Sequence, residues 1–153
     1  MGRRYAQVNI EKRLKEGVGQ GHGNEYRPWV VVQSFSSLGY AHRPPGWKTG
    51  REHPLMSNLE LDFFLILEWS PHIVDIREQF PLLPIEETLA IAKALRIHHP
   101  VNVRTRLPTV LTSDFMITCY GEPRNVEQVR TIKPSSELGS PRTLEKLEIE
   151  RCY

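Results

Sequence analysis

The chain has 153 residues, 39% of them hydrophobic and 25% charged, which fits one domain of about 100–200 residues and excludes a low-complexity tail or a fibre. No stretch approaches the roughly 18–20 apolar residues of a membrane span. The net charge of +2 is uneven: residues 1–51 carry nine Lys and Arg against three Asp and Glu, and residues 52–153 carry eleven against fifteen, so the first third is either an anion-facing surface or an ordinary solvated one.

There is no internal repeat. The N-terminus has no apolar run of the secretory kind, and Cys119 and Cys152 form neither a C-x-x-C pair nor a framework, so a reducing cytoplasm is expected. Val8 to Glu16 reads as a short amphipathic helix. It ends where Gly17, Gly19, Gly21 and Gly23 alternate with other residues, a run that reads first as flexible and second as a place of close backbone approach. It lacks the spacing of a nucleotide-binding loop. Trp29 to Gln33 is a β-branched run that predicts a strand. Ser34 to His53 is loop-rich, and it interleaves Tyr40, His42, Arg43, Trp47, Lys48 and Arg51, a mixture suited to a phosphate backbone and exposed bases or to a plain surface loop.

A helix is predicted from Asn58 to Trp69, with Leu59, Phe63, Phe64 and Leu67 on its buried face. Ser57 is its N-cap and Glu60, three residues on, completes a capping box. Ile73 to Leu82 alternates as a strand, with Val74, Ile76, Glu78 and Phe80 on one face and Asp75, Arg77 and Gln79 on the other. Glu86 to Arg96 reads as a helix stopped by His98-His99-Pro100. Ser113–Tyr120 and Val126–Lys133 read as paired strands across a Gly-Glu-Pro-Arg turn. Pro141 starts a last helix, in which the chain ends. The expected class is α/β, a small mixed sheet flanked by helices. Trp29, Trp47 and Trp69 are expected to be core or loop anchors, Cys119 a small buried hydrophobe, and the two histidines no part of a zinc site.

Glu60 at the start of a helix, Asp114 at the start of a strand and Lys133 at the end of its hairpin partner form a set that is able to share one cleft. Two carboxylates suit Mg²⁺, which keeps the rest of its shell as water or phosphate oxygen, and a nearby Lys would neutralise charge on a phosphorane-like transition state or ease the formation of hydroxide. Each residue also has an ordinary reading: Glu60 as the third residue of a capping box, Asp114 as a turn acceptor, Lys133 as a solvated strand end.

The segments KEGVGQGHGNEYRPW, HRPPGWKTGREHPLMSNLELDFFLILEW, VDIREQFPLLP, LTSDF, IKP and RTLEKLEIER, in this order over nearly the whole chain, closely resemble the TnsA family, the endonuclease subunits of Tn-seven-type heteromeric transposases. The resemblance implies a restriction-endonuclease-like fold with a PD-(D/E)xK-type site, truncated here before the last core strand and without the family's C-terminal regulator-binding domain. It implies a basic DNA-contacting segment over residues 1–51, with Lys12, Arg13, Lys15, Arg43, Lys48 and Arg51 as DNA-binding residues, and a catalytic core over 52–153.

By the same resemblance Glu60 and Asp114 hold metal, Lys133 positions or activates the attacking water, and the cation is Mg²⁺ with Mn²⁺ as a substitute. Two residues before the lysine the family pattern has Gln, Glu or Asp; here Thr131 stands there, a shorter neutral ligand, while the main-chain carbonyl of Ile132 remains a ligand whatever its side chain. The implied partners are transposon-end DNA, a DDE-type transposase (TnsB-like) that cuts and joins the 3′ ends, and an ATPase regulator (TnsC-like). The implied location is the bacterial cytoplasm, at the nucleoid. The implied act is hydrolysis at the 5′ ends of the transposon. The competing expectation is a weakly active or inactive homologue that only binds DNA and transposase partners, which Thr131 and the absent C-terminal region favour.

Overall fold

A computed structural model describes residues 2–31 and 40–153, with side chains of the first helix from Asn9 onward. The expected strand at Val32–Gln33 and loop residues 34–39 lie outside the described residues. The chain forms two compact units: Gly17–Phe80 with Ser113–Ile132, and Met1–Glu16 with Pro81–Thr112 and Lys133–Tyr153. These units follow packing rather than the charge step at residue 51. Among the described residues no helix is long and apolar enough to cross a membrane.

The first of these units holds helix α2 (Asn58–Trp69) and the strands β1 (Ile73–Pro81), β2 (Thr112–Cys119) and β3 (Val126–Arg130). The strands lie in the order β1-β2-β3 and the sheet is antiparallel, not mixed as expected. β2 and β3 are joined by the short turn over residues 120–125, as an antiparallel pair allows, whereas residues 82–111, with a helix of their own, run between β1 and β2. One face is apolar: Leu55, Phe64, Leu67, Ile73, Ile76, Phe115 and Ile117 are buried together, each worth about 1.5–3 kcal/mol against exposure. Phe63 of α2 lies 5.5 Å from Phe115. The predicted helix face is shifted by one residue, because Leu59 is exposed and Glu60 takes the inward position. Val74 is likewise exposed, and Ile73 joins the core in its place.

The opposite face is polar. Arg77 bonds the Thr118 hydroxyl at 3.4 Å and the Glu127 carboxylate, and lies 3.5 Å from Asp75, so one guanidinium crosses all three strands. Asp75 in turn accepts the Gly23 N–H at 3.2 Å and faces His22 at 3.2 Å. The glycine run is therefore built structure, against the flexible reading. Gly17, Gly19, Gly21 and Gly23 all have positive φ, which residues with a Cβ seldom adopt, and the Gly19 N–H donates to Arg27 O at 2.6 Å. Trp29 and Val30 form a bend rather than the predicted strand, and the Trp29 N–H donates instead to Gln79 O at 3.2 Å.

Between these lies a fully buried carboxylate. Glu78 accepts two bonds from the Arg51 guanidinium, at 2.6 and 2.8 Å, and one from His53 Nδ1 at 2.6 Å. His53 Nε2 lies 2.7 Å from Thr49 Oγ1. Gly46 is required beside them, since a Cβ there would come within 2.4 Å of His53 Nε2. The bridges His42–Leu55 and Pro45–Glu52 fold residues 42–55 into a strap over β1.

In the other unit α1 (Gly2–Lys15) begins earlier than Val8. The helices α3 (Ile85–Ala94) and α4 (Pro141–Cys152) pack on each other, and Leu82, Ile85, Ala92 and Ile149 are buried. His99 Nε2 bonds with Thr88 Oγ1 at 3.0 Å, a structural use of that histidine.

Burial raises the Glu78 pKa, but the bonds from His53 and Arg51 outweigh it and hold the group below its ordinary 4.5. Its folded value is thus lower than its unfolded one, so its stabilisation is full above the unfolded value and fades as pH falls through the folded one. Glu78→Ala should lose about 3–5 kcal/mol at pH 7, because it strands a buried cation. Urea unfolding at pH 7 and below pH 4 checks both: the gap between the two proteins should narrow in acid.

Candidate functional site

Glu60 is held at the start of α2 by its own cap. Ser57 Oγ accepts the Glu60 N–H at 3.1 Å and bonds Glu60 Oε1 at 3.3 Å, while Oε2 accepts the Met56 N–H at 2.9 Å. The capping box is present as predicted. A cap alone is usually solvated, whereas Glu60 is 5% exposed and also receives Gln79 Nε2 at 3.3 Å from the sheet.

Asp114 is the third residue of β2. Alternation sends its neighbour Phe115 into the core and Asp114 to the other side, where it is 8% exposed. Its Oδ2 accepts the Ile132 N–H at 2.7 Å. The β2–β3 ladder runs to Phe115 opposite Arg130, and one further step sets Thr131 opposite Asp114. β3 itself stops at Arg130 rather than Lys133. Gln128 stands opposite Ile117 and bonds Arg130, so it is on the wrong side to replace a ligand at Thr131.

The structure thus brings Asp114, Thr131 and Ile132 together and ties Glu60 to Gln79, all in one unit. Lys133 is the residue after Ile132 and begins the last segment of the other unit.

Among the described residues no group of three or more His, Cys, Asp or Glu side chains is placed to hold a metal. A cation at Asp114 would meet that buried carboxylate, with the Thr131 hydroxyl and the Ile132 carbonyl as neutral oxygens. That donor set fits Mg²⁺, which takes few protein ligands and keeps waters, and fits a thiophilic metal poorly.

The residues expected to meet DNA divide. Lys12 and Lys15 are exposed on the last turns of α1, Lys12 4.0 Å from Glu16, and Arg13 is half-buried. Arg43 is exposed beside a cavity of about 310 Å³ that Arg27, Arg51 and Glu52 also line. The Lys48 N–H lies 3.4 Å from Glu68. Arg51 departs from its expected role: it points inward to Glu78 and sits 5.1 Å from the Tyr26 ring, so its charge is already matched within the fold. Trp29 is a core anchor, whereas Trp47 and Trp69 are about four-fifths exposed, contrary to the anchoring role expected of them. Cys119 is half-buried against the core. Gln79, His53 and Glu78 were not legible as site or support residues; alternation alone marked Gln79 as a polar strand position.

Two carboxylates, Glu60 at a helix start and Asp114 near a strand start, are thus buried within one small α/β unit. Residues 70–153 match the family described as "TnsA-like endonuclease N terminal", a stretch that holds Asp114, Thr131, Ile132 and Lys133. The chain is 48% identical over 149 residues to the transposon Tn7 transposition protein TnsA of Escherichia coli, covering 97% of this chain and 53% of that protein. The chain therefore belongs to the TnsA-like endonuclease family, and spans about half the length of the curated relative it matches.

Glu60→Gln should keep the cap, since Gln serves in the same box, and stay within about 0.5 kcal/mol of the parent. Glu60→Ala strands the Met56 N–H and should cost about 1–2 kcal/mol. Paired denaturant titrations check the difference.

Proposed function

We propose that this chain is the catalytic part of a Mg²⁺-dependent DNA endonuclease subunit of a cut-and-paste transposase, cleaving at the 5′ ends of the transposon. The observation that carries this reading is the buried Asp114 carboxylate, fixed at the Ile132 N–H beside Thr131 in a member of the TnsA-like family. A restriction-endonuclease-like core is the architecture that goes with it.

In this reading Glu60 and Asp114 supply the carboxylate oxygens for the cation, and Thr131 and the Ile132 carbonyl supply the neutral ones. When bound, Mg²⁺ provides Lewis-acid polarisation of the scissile phosphate. The Ile132 N–H keeps the Asp114 carboxylate from rotating, and the capping bonds do the same for Glu60, so the two groups are oriented before DNA arrives. Lys133 orients the attacking water and balances charge on the phosphate in flight. Water attacks in line, the phosphorus–O3′ bond breaks, and the products are a 3′-hydroxyl and a 5′-phosphate, with no covalent enzyme intermediate. Lys12 and Lys15 contact the phosphate backbone. A DDE-type transposase (TnsB-like) acts on the 3′ ends, an ATPase regulator (TnsC-like) governs the complex, and the work takes place on nucleoid DNA.

Asp114→Ala should lower 5′-strand cleavage by more than the roughly 10–100-fold cost of losing an outer partner of a metal ligand, with its thermal transition retained. The assay is strand nicking at transposon ends in Mg²⁺ with the partner transposase present. Loss of the thermal transition together with cleavage would make Asp114 structural and sink the assignment.

Lys12→Gln with Lys15→Gln should reduce the slope of log affinity against log salt by roughly 2, about 0.9 per phosphate contact. Binding isotherms on duplex DNA at several salt concentrations read this directly; an unchanged slope would mean a merely solvated helix end.

A further inference from the structure

We infer that Gln79 is a positioning residue of the proposed metal site: its carboxamide reaches out of the sheet to hold the Glu60 carboxylate. The inference rests on the reading of Glu60 and Asp114 as metal ligands.

Strict alternation along β1 places Ile76 and Glu78 on one face and Arg77 and Gln79 on the other. The α2 helix covers the Ile76 face, since Phe63, Phe64 and Leu67 pack there with Ile76, Phe115 and Ile117. By that rule Gln79 belongs on the face away from Glu60, and Phe80 belongs on the face toward α2. The structure reverses both. Phe80 lies with Arg77, whose guanidinium is 5.2 Å from its ring, and stacks with Tyr26 at 6.3 Å. Gln79 Nε2 donates to Glu60 Oε2 at 3.3 Å.

The reversal has a single backbone cause. Gln79 has φ 48°, the left-handed region that a residue with a Cβ enters only when its surroundings impose it. The surroundings do so from three sides. The Trp29 N–H donates to Gln79 O at 3.2 Å, and the Tyr26 hydroxyl donates to Glu78 O at 3.0 Å. Glu78, the residue before, is fixed by Arg51 and His53 with no exposure. A strained strand residue that re-aims a polar side chain is a feature of functional sites.

The chemistry of the side chain suits the place. Glu60 is oriented from below by its own cap at Ser57 and Met56. Gln79 adds a donor from the sheet, the element that carries Asp114. A carboxamide does this without adding charge beside a carboxylate, whereas a Glu at 79 would set two negative groups together.

The test compares wild type, Gln79→Gly, Gln79→Leu and Asp114→Ala of the full chain by calorimetric titration with Mn²⁺, alongside cleavage kinetics and DNA affinity. Gly accepts φ 48° at no steric cost, so Gln79→Gly keeps the kink and removes only the carboxamide. The expected result is metal affinity 10–100-fold weaker in Gln79→Gly, a lower kcat, unchanged DNA affinity, and a thermal transition no lower than wild type. Gln79→Leu should match it in metal affinity wherever it folds. If Gln79→Gly binds Mn²⁺ and cleaves as wild type does while Asp114→Ala fails to bind, the inference about Gln79 falls and the metal reading stands. If wild type binds no Mn²⁺, or Asp114→Ala binds it equally well, the metal reading falls and takes this inference with it.

Discussion

A carboxylate with no exposure must be neutralised where it lies, and in this protein much of one unit is arranged around that requirement. Glu78 is met by both terminal nitrogens of Arg51 and by His53, partners that come from a strap with little regular structure. The strap over residues 42–55 has two isolated bridges and a glycine that nothing larger would replace. Its order is therefore electrostatic and steric rather than a matter of secondary-structure propensity. An uncompensated charge at this depth would cost several kcal/mol, more than the two bridges return.

That constraint reaches the candidate site through one covalent step. With Glu78 turned to the strap and its carbonyl bonded by Tyr26, the next residue has little freedom, and Gln79 takes the left-handed conformation that brings it to Glu60. On the next strand the rule of alternation does the corresponding work without strain. Phe115 and Ile117 are pulled into the core, and Asp114 is left on the polar side, where the chain leaving β3 offers the Ile132 N–H. Apolar burial sets the sheet, and buried polar pairing sets where its acidic residues point.

Much of this was legible in the sequence because it is periodic. The α2 helix, its Ser57 cap and the Glu60 capping box follow from spacing, as do the polar pair Asp75 and Arg77 on one face of β1 and Pro141 at the start of α4. The family was legible because its motifs are long and ordered. What failed was non-periodic. The glycine run looked flexible because the partner that orders it, Asp75, lies about fifty residues away. Trp29–Val30 looked like a strand because β-branched composition says nothing of whether an edge is available to pair with. Arg51 looked like a phosphate contact because a basic residue in a polar loop gives no sign of a buried carboxylate waiting for it. The kink at Gln79 had no signal, since left-handed backbone is expected of Gly, Asn or Asp and not of Gln.

The central claim is that Glu60 and Asp114 share one hard cation. Crystals of the protein soaked in Mn²⁺ and measured by anomalous scattering test it without relying on activity. The account predicts an anomalous peak in contact with carboxylate oxygens of both residues, at about 2.1–2.3 Å, the range of divalent cation–oxygen bonds of this size. A peak elsewhere with none at these two carboxylates would contradict it.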